Sequence, residues 1–248
     1  MRRTIKPRVL LYLGILLISI PALGIAQIEQ RNIEAEDAKK VDLAAALLEK
    51  GEVDNAEKIL LDVVSRCPDN YVYQYEEGGA ICIKFWDMGE FLRYIGNLPK
   101  DSQNKPDVSW VPSAYPRAFF LLGYIAFERK DLASAAKWFE KAQTLEPKNA
   151  RILSELGFTY GAMKRHSESL RCFSAIAEQG DKVPPEFQAL AFRGMGVQLI
   201  DLGQLDLARQ CFFRSLKIEP DNQLAKKELL YIDHLEKGGE HSEASAKQ

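Results

Sequence analysis

The sequence predicts an all-α solenoid of stacked helical hairpins, and three observations carry that prediction. First, one design returns along the chain, in "LLGYIAFERKDLASAAKWFEKAQTLEP", "ELGFTYGAMKRHSESLRCFSAIAEQGD" and "GMGVQLIDLGQLDLARQCFFRSLKIEP". Gly123 and Gly157 stand 34 residues apart; Gly157 to Gly196 is 39, one period plus five residues near "GDKVPPE". Second, each segment reads as two amphipathic helices, because its apolar residues recur at helical spacing. Third, small residues interrupt the apolar stripe where a core would ordinarily take Leu: Gly123, Ala126, Ala135 and Ala142 in the first of these segments. Small residues at a crossing let two helix backbones approach closely. A fixed period of this length marks a stacked array rather than a single closed core.

Taken in order, the first 26 residues differ from all that follows. "MRRTIKPR" is basic, "VLLYLGILLISI" is twelve residues without a charge, and "PALGIA" ends the stretch. That is the pattern of a secretory signal peptide over residues 1–26, with Gly24 and Ala26 before the cleavage point. The alternative is an uncleaved N-terminal membrane anchor, since Val9 to Ala26 gives 18 uncharged residues, at the lower edge of what spans a bilayer. Both readings place the rest of the chain outside the cytoplasm, periplasmic or secreted, or anchored in the inner membrane and facing the periplasm. Residues 37–70, containing "AALLEKGEVDNAEKILLDVVSRCPDN", form a first hairpin with Ala44 in the glycine position. Ala44 to Gly123 is 79 residues, two periods plus eleven. Residues 71–115 are then expected to be a degenerate repeat whose extra length lies in the polar run "NLPKDSQNKPD". Their nine aromatics, Trp86 and Trp110 among them, either patch an irregular repeat or form an anchor site for a ligand. Regular hairpins follow at 116–149, 150–188 (with a short insertion) and 189–222. "NQLAKKELLYIDHLEK" gives a capping helix over 223–237, stopped by Gly238 and Gly239. The polar residues 238–248 are expected to be disordered.

Composition adds little beyond exclusions. The 248 residues carry a net charge of −2, which supplies no basic stripe for nucleic acid. No phosphate-cradling glycine loop, nucleophile elbow or Cys-x-x-Cys pair is present, and His166, His234 and His241 lack partners at metal-ligand spacing. Catalysis, metal and cofactors are therefore not expected. Cys82, in "GGAIC", is expected inside a helix. Cys172 and Cys211 hold equivalent places in successive units, and packed helices lie about 8–10 Å apart, beyond the reach of a disulfide. Cys67 and Cys82 are mismatched along antiparallel neighbours, so all four cysteines read as small apolar residues.

The repeat resembles the tetratricopeptide repeat, a 34-residue unit of helix, turn and helix. The likeness covers roughly Asp37 to Pro220. It falls on Leu122, Gly123, Ala135, Phe139, Ala142 and Pro147, then on Leu156, Gly157, Tyr160, Ser169 and Phe173. It continues on Gly196, Gly203, Ala208, Phe212 and Pro220, and in the first unit on Ala44, Gly51, Ala56, Leu60 and Pro68. Asp181 stands where the fourth unit should have its proline, and Glu90 where the second should have its alanine. The resemblance implies a right-handed superhelix whose concave face, lined by the first helix of each unit, binds a segment of another protein. Carried over by register, that face presents Tyr124, Phe158 and Val197 as an apolar line, Arg117 and Arg151 at a second position, and Phe120, Ser154 and Arg193 at a third. The family's carboxylate clamp needs asparagines where Tyr124, Phe158 and Val197 stand. The implied partner is therefore an apolar peptide or amphipathic helix flanked by acidic groups that meet the arginines. The expected role is that of a monomeric, non-catalytic scaffold or adaptor in assembly of a bacterial envelope complex; the alternative is a membrane-anchored structural subunit of a fixed complex.

Overall fold

The computed structural model describes residues 19–98 and 106–239. Four helical hairpins stack in sequence: α1 (Ser19–Glu49) with α2 (Val53–Val64), α4 (Tyr115–Glu128) with α5 (Leu132–Leu145), α6 (Ala150–Ala162) with α7 (His166–Ala177), and α8 (Pro185–Asp201) with α9 (Leu205–Ile218). A last helix, α10 (Gln223–Glu236), lies on α9 and buries Ala225 and Ile232 there. The chain is thus an all-α solenoid with a terminal cap.

One side-chain arrangement repeats at every crossing. The second helix of each of the last three units carries a fully buried aromatic ring, Phe139, Phe173 and Phe212, each 0% exposed. Each ring lies against a glycine of the first helix. A Cβ on Gly123 would sit 2.6 Å from the Phe139 ring, on Gly157 2.8 Å from Phe173, and on Gly196 2.6 Å from Phe212. Phe173 is gripped from both sides, because a Cβ on Gly194 of α8 would stand 2.5 Å from it. In the first unit Leu60 and Ala44 take the two roles, both fully buried. The turn inside each hairpin is equally regular. Gly51, Lys130, Lys164 and Gly203 all adopt positive φ, 79°, 64°, 58° and 71°, and their spacings of 79, 34 and 39 residues match those of the core glycines.

The segment 71–115 departs from expectation. It is not a degenerate helical hairpin but a small α/β insertion: β1 (Gln74–Glu77), β2 (Ala80–Phe85), α3 (Met88–Gly96) and β3 (Val108–Pro112). β1 and β2 form an antiparallel hairpin in which Glu77 pairs with Ala80 across Gly78–Gly79. Both glycines have positive φ, 59° and 85°, as a tight two-residue turn between right-twisted strands requires. β3 joins β2 in parallel, with Ile83 beside Trp110. Tyr, Val, Ile and Phe suit a pleated, half-buried surface better than a helix. Cys82 accordingly lies buried on β2 rather than in a helix. Glu90 serves α3 instead of a helix crossing: Asp87 caps the helix by accepting from the Glu90 amide at 2.9 Å, and the Glu90 carboxylate accepts from the Trp86 amide at 2.9 Å. Most of "NLPKDSQNKPD" lies outside the described residues. The solenoid ignores the insertion, since α2 packs directly on α4.

Two other boundaries shift. The first helix begins at Ser19, not near residue 37, and runs unbroken across the expected cleavage point after Ala26. Its additional length packs against the insertion: Lys84 of β2 meets Glu34 at 2.7 Å with both side chains buried, and Arg31 pairs with Glu77 and covers the Tyr75 ring. Residues 1–18, the greater part of the hydrophobic leader, and residues 240–248 of the tail lie outside the described residues. No helix among the described residues is long and apolar enough to cross a membrane. The fourth unit's five extra residues go into a 3-10 turn, Gly180–Lys182, and into an earlier start of α8 at Pro185 rather than at 189.

Gly123→Ala is expected to destabilise the chain by about 1–3 kcal/mol, because the fully enclosed Phe139 ring cannot retreat from the new methyl group. Phe139→Leu in the same background should recover part of the loss, a coupling that separates a steric clash from a change in helix propensity. Lys148→Ala, on an exposed turn, should change stability by less than about 0.5 kcal/mol. Denaturant midpoints of the five proteins, Phe139→Leu alone among them, measure all three effects.

Candidate functional site

Two features of the surface combine exposed apolar side chains with charge: a patch on α4 and α6, and a cleft between the insertion and the solenoid edge. The first contains part of the row expected along the concave face. Tyr124 and Phe158 are 45% and 38% exposed, large values for aromatic side chains on packed helices. The Phe158 ring stands edge-on to Phe173 at 5.2 Å, which anchors its base while leaving its face open. Val197 is half-buried and packs into the core between α8 and α9, so it does not extend the line. Phe120 is half-buried between Trp86 at 5.1 Å and Phe139 at 5.6 Å, and Ser154 is buried with its hydroxyl donating to the Arg151 carbonyl.

The arginines of the row are already engaged. Arg117 pairs with Asp42 at 2.5 Å, Arg151 with Asp87 at 2.6 Å and Glu90 at 3.4 Å, and Arg193 with Glu219 at 2.5 Å. The charges beside Tyr124 and Phe158 are instead acidic. Glu128 follows Tyr124 by four residues and Glu155 precedes Phe158 by three, spacings that put each carboxylate on its ring's face of the helix. Burial and the neighbouring Glu128 hold the Glu155 carboxyl above its ordinary range. Glu128 and Glu155 are what sequence reasoning missed. Their helical spacing from the rings was visible, but the internal pairing of the arginines, which leaves the acids to set the charge, was not.

The second feature is a cleft of about 770 Å³. Phe85, Tyr94 and Tyr73 wall it from the insertion, and Phe187, Val183 and the turn Leu145–Arg151 from the solenoid. At its base Glu146, 5% exposed, ties the two bodies together. It accepts hydrogen bonds from the Trp86 indole at 2.8 Å, the Ser113 hydroxyl at 3.1 Å and the Asn149 amide at 2.7 Å. Burial, opposed by these bonds and aided by the nearby Glu90, pushes its pKa up to about 7. Among the described residues no group of three or more His, Cys, Asp or Glu side chains converges as metal ligands. The four cysteines are unbridged, and burial raises the Cys67 and Cys172 thiols to about 11, which removes the thiolate that nucleophilic chemistry would need.

Four stacked hairpins, three of them closed by a ring-on-glycine crossing, define a helical-repeat solenoid. Residues 116–149 of the chain match the family model "Tetratricopeptide repeat", and the other hairpins repeat that unit's architecture. Among solved structures it is similar to PilF of Pseudomonas aeruginosa, with a TM-score of 0.54 at 14% identity, covering 86% of this chain and 72% of that one. It is also similar to the MamA RS-1 ArsTM double mutant, with a TM-score of 0.55 at 13% identity over 82% and 85% of the two chains. Both likenesses concern the fold. By sequence it is 33% identical over 132 residues to the mouse protein O-mannosyl-transferase TMTC1, and 33% over 118 residues to the human one. These alignments take in 52% and 47% of this chain but only 14% and 13% of those proteins.

Glu146 makes stability depend on pH. Its folded pKa lies above the value of an unfolded glutamate, so between about 4.5 and about 7 the folded state holds a proton that the unfolded state has lost. Stability contributed at this site is greatest at acid pH and declines as pH rises to about 7. Glu146→Gln keeps two acceptor bonds and can donate to Ser113. It should therefore gain roughly 2–4 kcal/mol over the parent at pH 8 and little at pH 5, as read from denaturation midpoints at the two pH values.

Proposed function

We propose that the chain is a non-catalytic scaffold that binds an apolar, basic segment of another protein across α4 and α6. The observation that carries this reading is the patch itself: two exposed aromatic rings on adjacent first helices, flanked by two carboxylates with no ion-pair partner among the described residues. Aromatic side chains offer large contact area at low entropic cost and dominate protein interfaces. An amphipathic helix or extended peptide carrying Lys or Arg beside its apolar anchors fits this chemistry. The acidic flanks expected to answer the arginines do not, because those arginines are spent within the fold. The tetratricopeptide architecture supports the same role, since stacked helical units present extended binding surfaces.

The basic, apolar and small-residue stretches of residues 1–26 support export of the chain, as a periplasmic or secreted monomer or one held at the membrane by that segment. Assembly of an envelope complex is the task proposed for it there. A structural subunit held by an uncleaved N-terminus is the second reading, favoured by the unbroken course of α1 through Ala26.

A photo-reactive residue placed at Tyr124 or at Phe158 in native cells should capture the same protein, and one at Lys137 on the second helix should not. With that partner in hand, Tyr124→Ala and Phe158→Ala should each weaken binding by about 2 kcal/mol or more. Glu155→Lys should slow association and reverse its salt dependence. Equal capture from Lys137, or affinities unchanged in the variants, would remove α4 and α6 as the binding surface.

A further inference from the structure

The cleft between insertion and solenoid has a charge arrangement distinct from that of the aromatic patch. Most of its charged lining is consumed by the fold. Lys84 is paired with buried Glu34, Asp87 and Glu90 hold Arg151, and Glu146 accepts three hydrogen bonds. What remains without an ion-pair partner among the described residues is Arg93 from α3, Lys148 from the α5–α6 turn and Lys182 from the 3-10 turn, against the single acid Glu186. The cations come from three separate elements that meet only at this cleft. Phe85 and Tyr94, their rings 5.5 Å apart, line the same cleft, with Tyr73 and Phe187 completing its aromatic lining. The N-termini of α6 and α8 open on the same space, adding positive potential to it.

From this arrangement we propose that the cleft binds a small amphipathic carboxylate, its apolar chain lying against Phe85, Tyr94 and Phe187 and its anionic head among Arg93, Lys148 and Lys182. A volume of about 770 Å³ is in the range of small-molecule sites, which are mostly apolar with a few placed polar groups. A chain of eight carbons, at roughly the 30 Å³ per centre that a water takes in the liquid, fills less than half of it. The lining of paired acids matters as much as the cations. Asp87 and Glu90 are turned to Arg151, and Glu146 to its three donors with its pKa raised to about 7, so the cations left to meet a ligand are Arg93, Lys148 and Lys182. The site exists only because the insertion stands beside the solenoid edge, so the ligand would touch both bodies and stiffen their junction.

Titration calorimetry of the full chain with sodium octanoate, and with octan-1-ol as the neutral chain of equal length, tests this. Octanoate is expected to bind saturably at one site, at least tenfold tighter than octanol. Replacing Arg93 and Lys182 together by Gln should weaken octanoate at least fivefold and leave octanol unchanged, while Phe187→Ala should weaken both ligands. Tyr124→Ala, on the other surface, should alter neither. Equal affinity for octanol and octanoate, indifference to the Arg93/Lys182 change, loss on Tyr124→Ala, or no saturable octanoate binding would each overturn the proposal. Thermal midpoints report folding. Should Phe187→Ala fail to fold, the Arg93/Lys182 pair, neither of which is buried, decides alone.

Discussion

The solenoid depends on one repeated contact, a phenylalanine ring of the second helix seated on a glycine of the first. Gly123–Phe139, Gly157–Phe173 and Gly196–Phe212 set how closely each pair of helices approaches. The rings are fully enclosed, so the space left by each absent Cβ is filled at close-packed density. Phe173 extends this rule between units, because Gly194 of the following hairpin closes on its other side. Crossing geometry within a unit and stacking between units are therefore fixed by the same side chain. The exposed faces of the first helices, and hence the placement of Tyr124 and Phe158, follow from that geometry. In the first unit Ala44 and Leu60 do the same work with less disparity in size.

This contact is also why most of the fold could be read from the sequence. A glycine in an apolar helical stripe with a phenylalanine on the next helix is a local, periodic signal, and it recurs at the spacing of the units. The insertion carries no such period, and its signals are local ones. Gly78–Gly79 between alternating apolar and polar residues is a hairpin signal, and Asp87 with Glu90 three residues later is a helix start. Both are short signals of a few residues, weaker than a 34-residue period that brackets them on either side. The long reach of α1 was hidden for a different reason: its additional turns are justified by Lys84 and Glu77, partners 50 or so residues away in the sequence.

The candidate surfaces were half legible. Register placed Tyr124 and Phe158 on an open face, and they are open. Register could not say that Arg117, Arg151 and Arg193 meet Asp42, Asp87 and Glu219, because each pairing spans 26 to 75 residues. The sign of the charge around the rings was thereby reversed, from basic to acidic. A single sequence shows which charges share a helix face more readily than which are already neutralised.

The pairing of the first helix with the insertion has a mechanical consequence. The outer half of the first helix grips β1 and β2 through Arg31 and Glu34, while Gln30 donates to the Tyr115 hydroxyl of α4 and the inner half joins the solenoid. Tension applied at the N-terminus would run along the α1 backbone into the first hairpin, and the Arg31–Glu77 and Glu34–Lys84 pairs would share it by resisting displacement of the helix along the small sheet. The insertion is thus a lateral brace on the first helix, acting in parallel with the backbone that joins the N-terminal segment to the repeats.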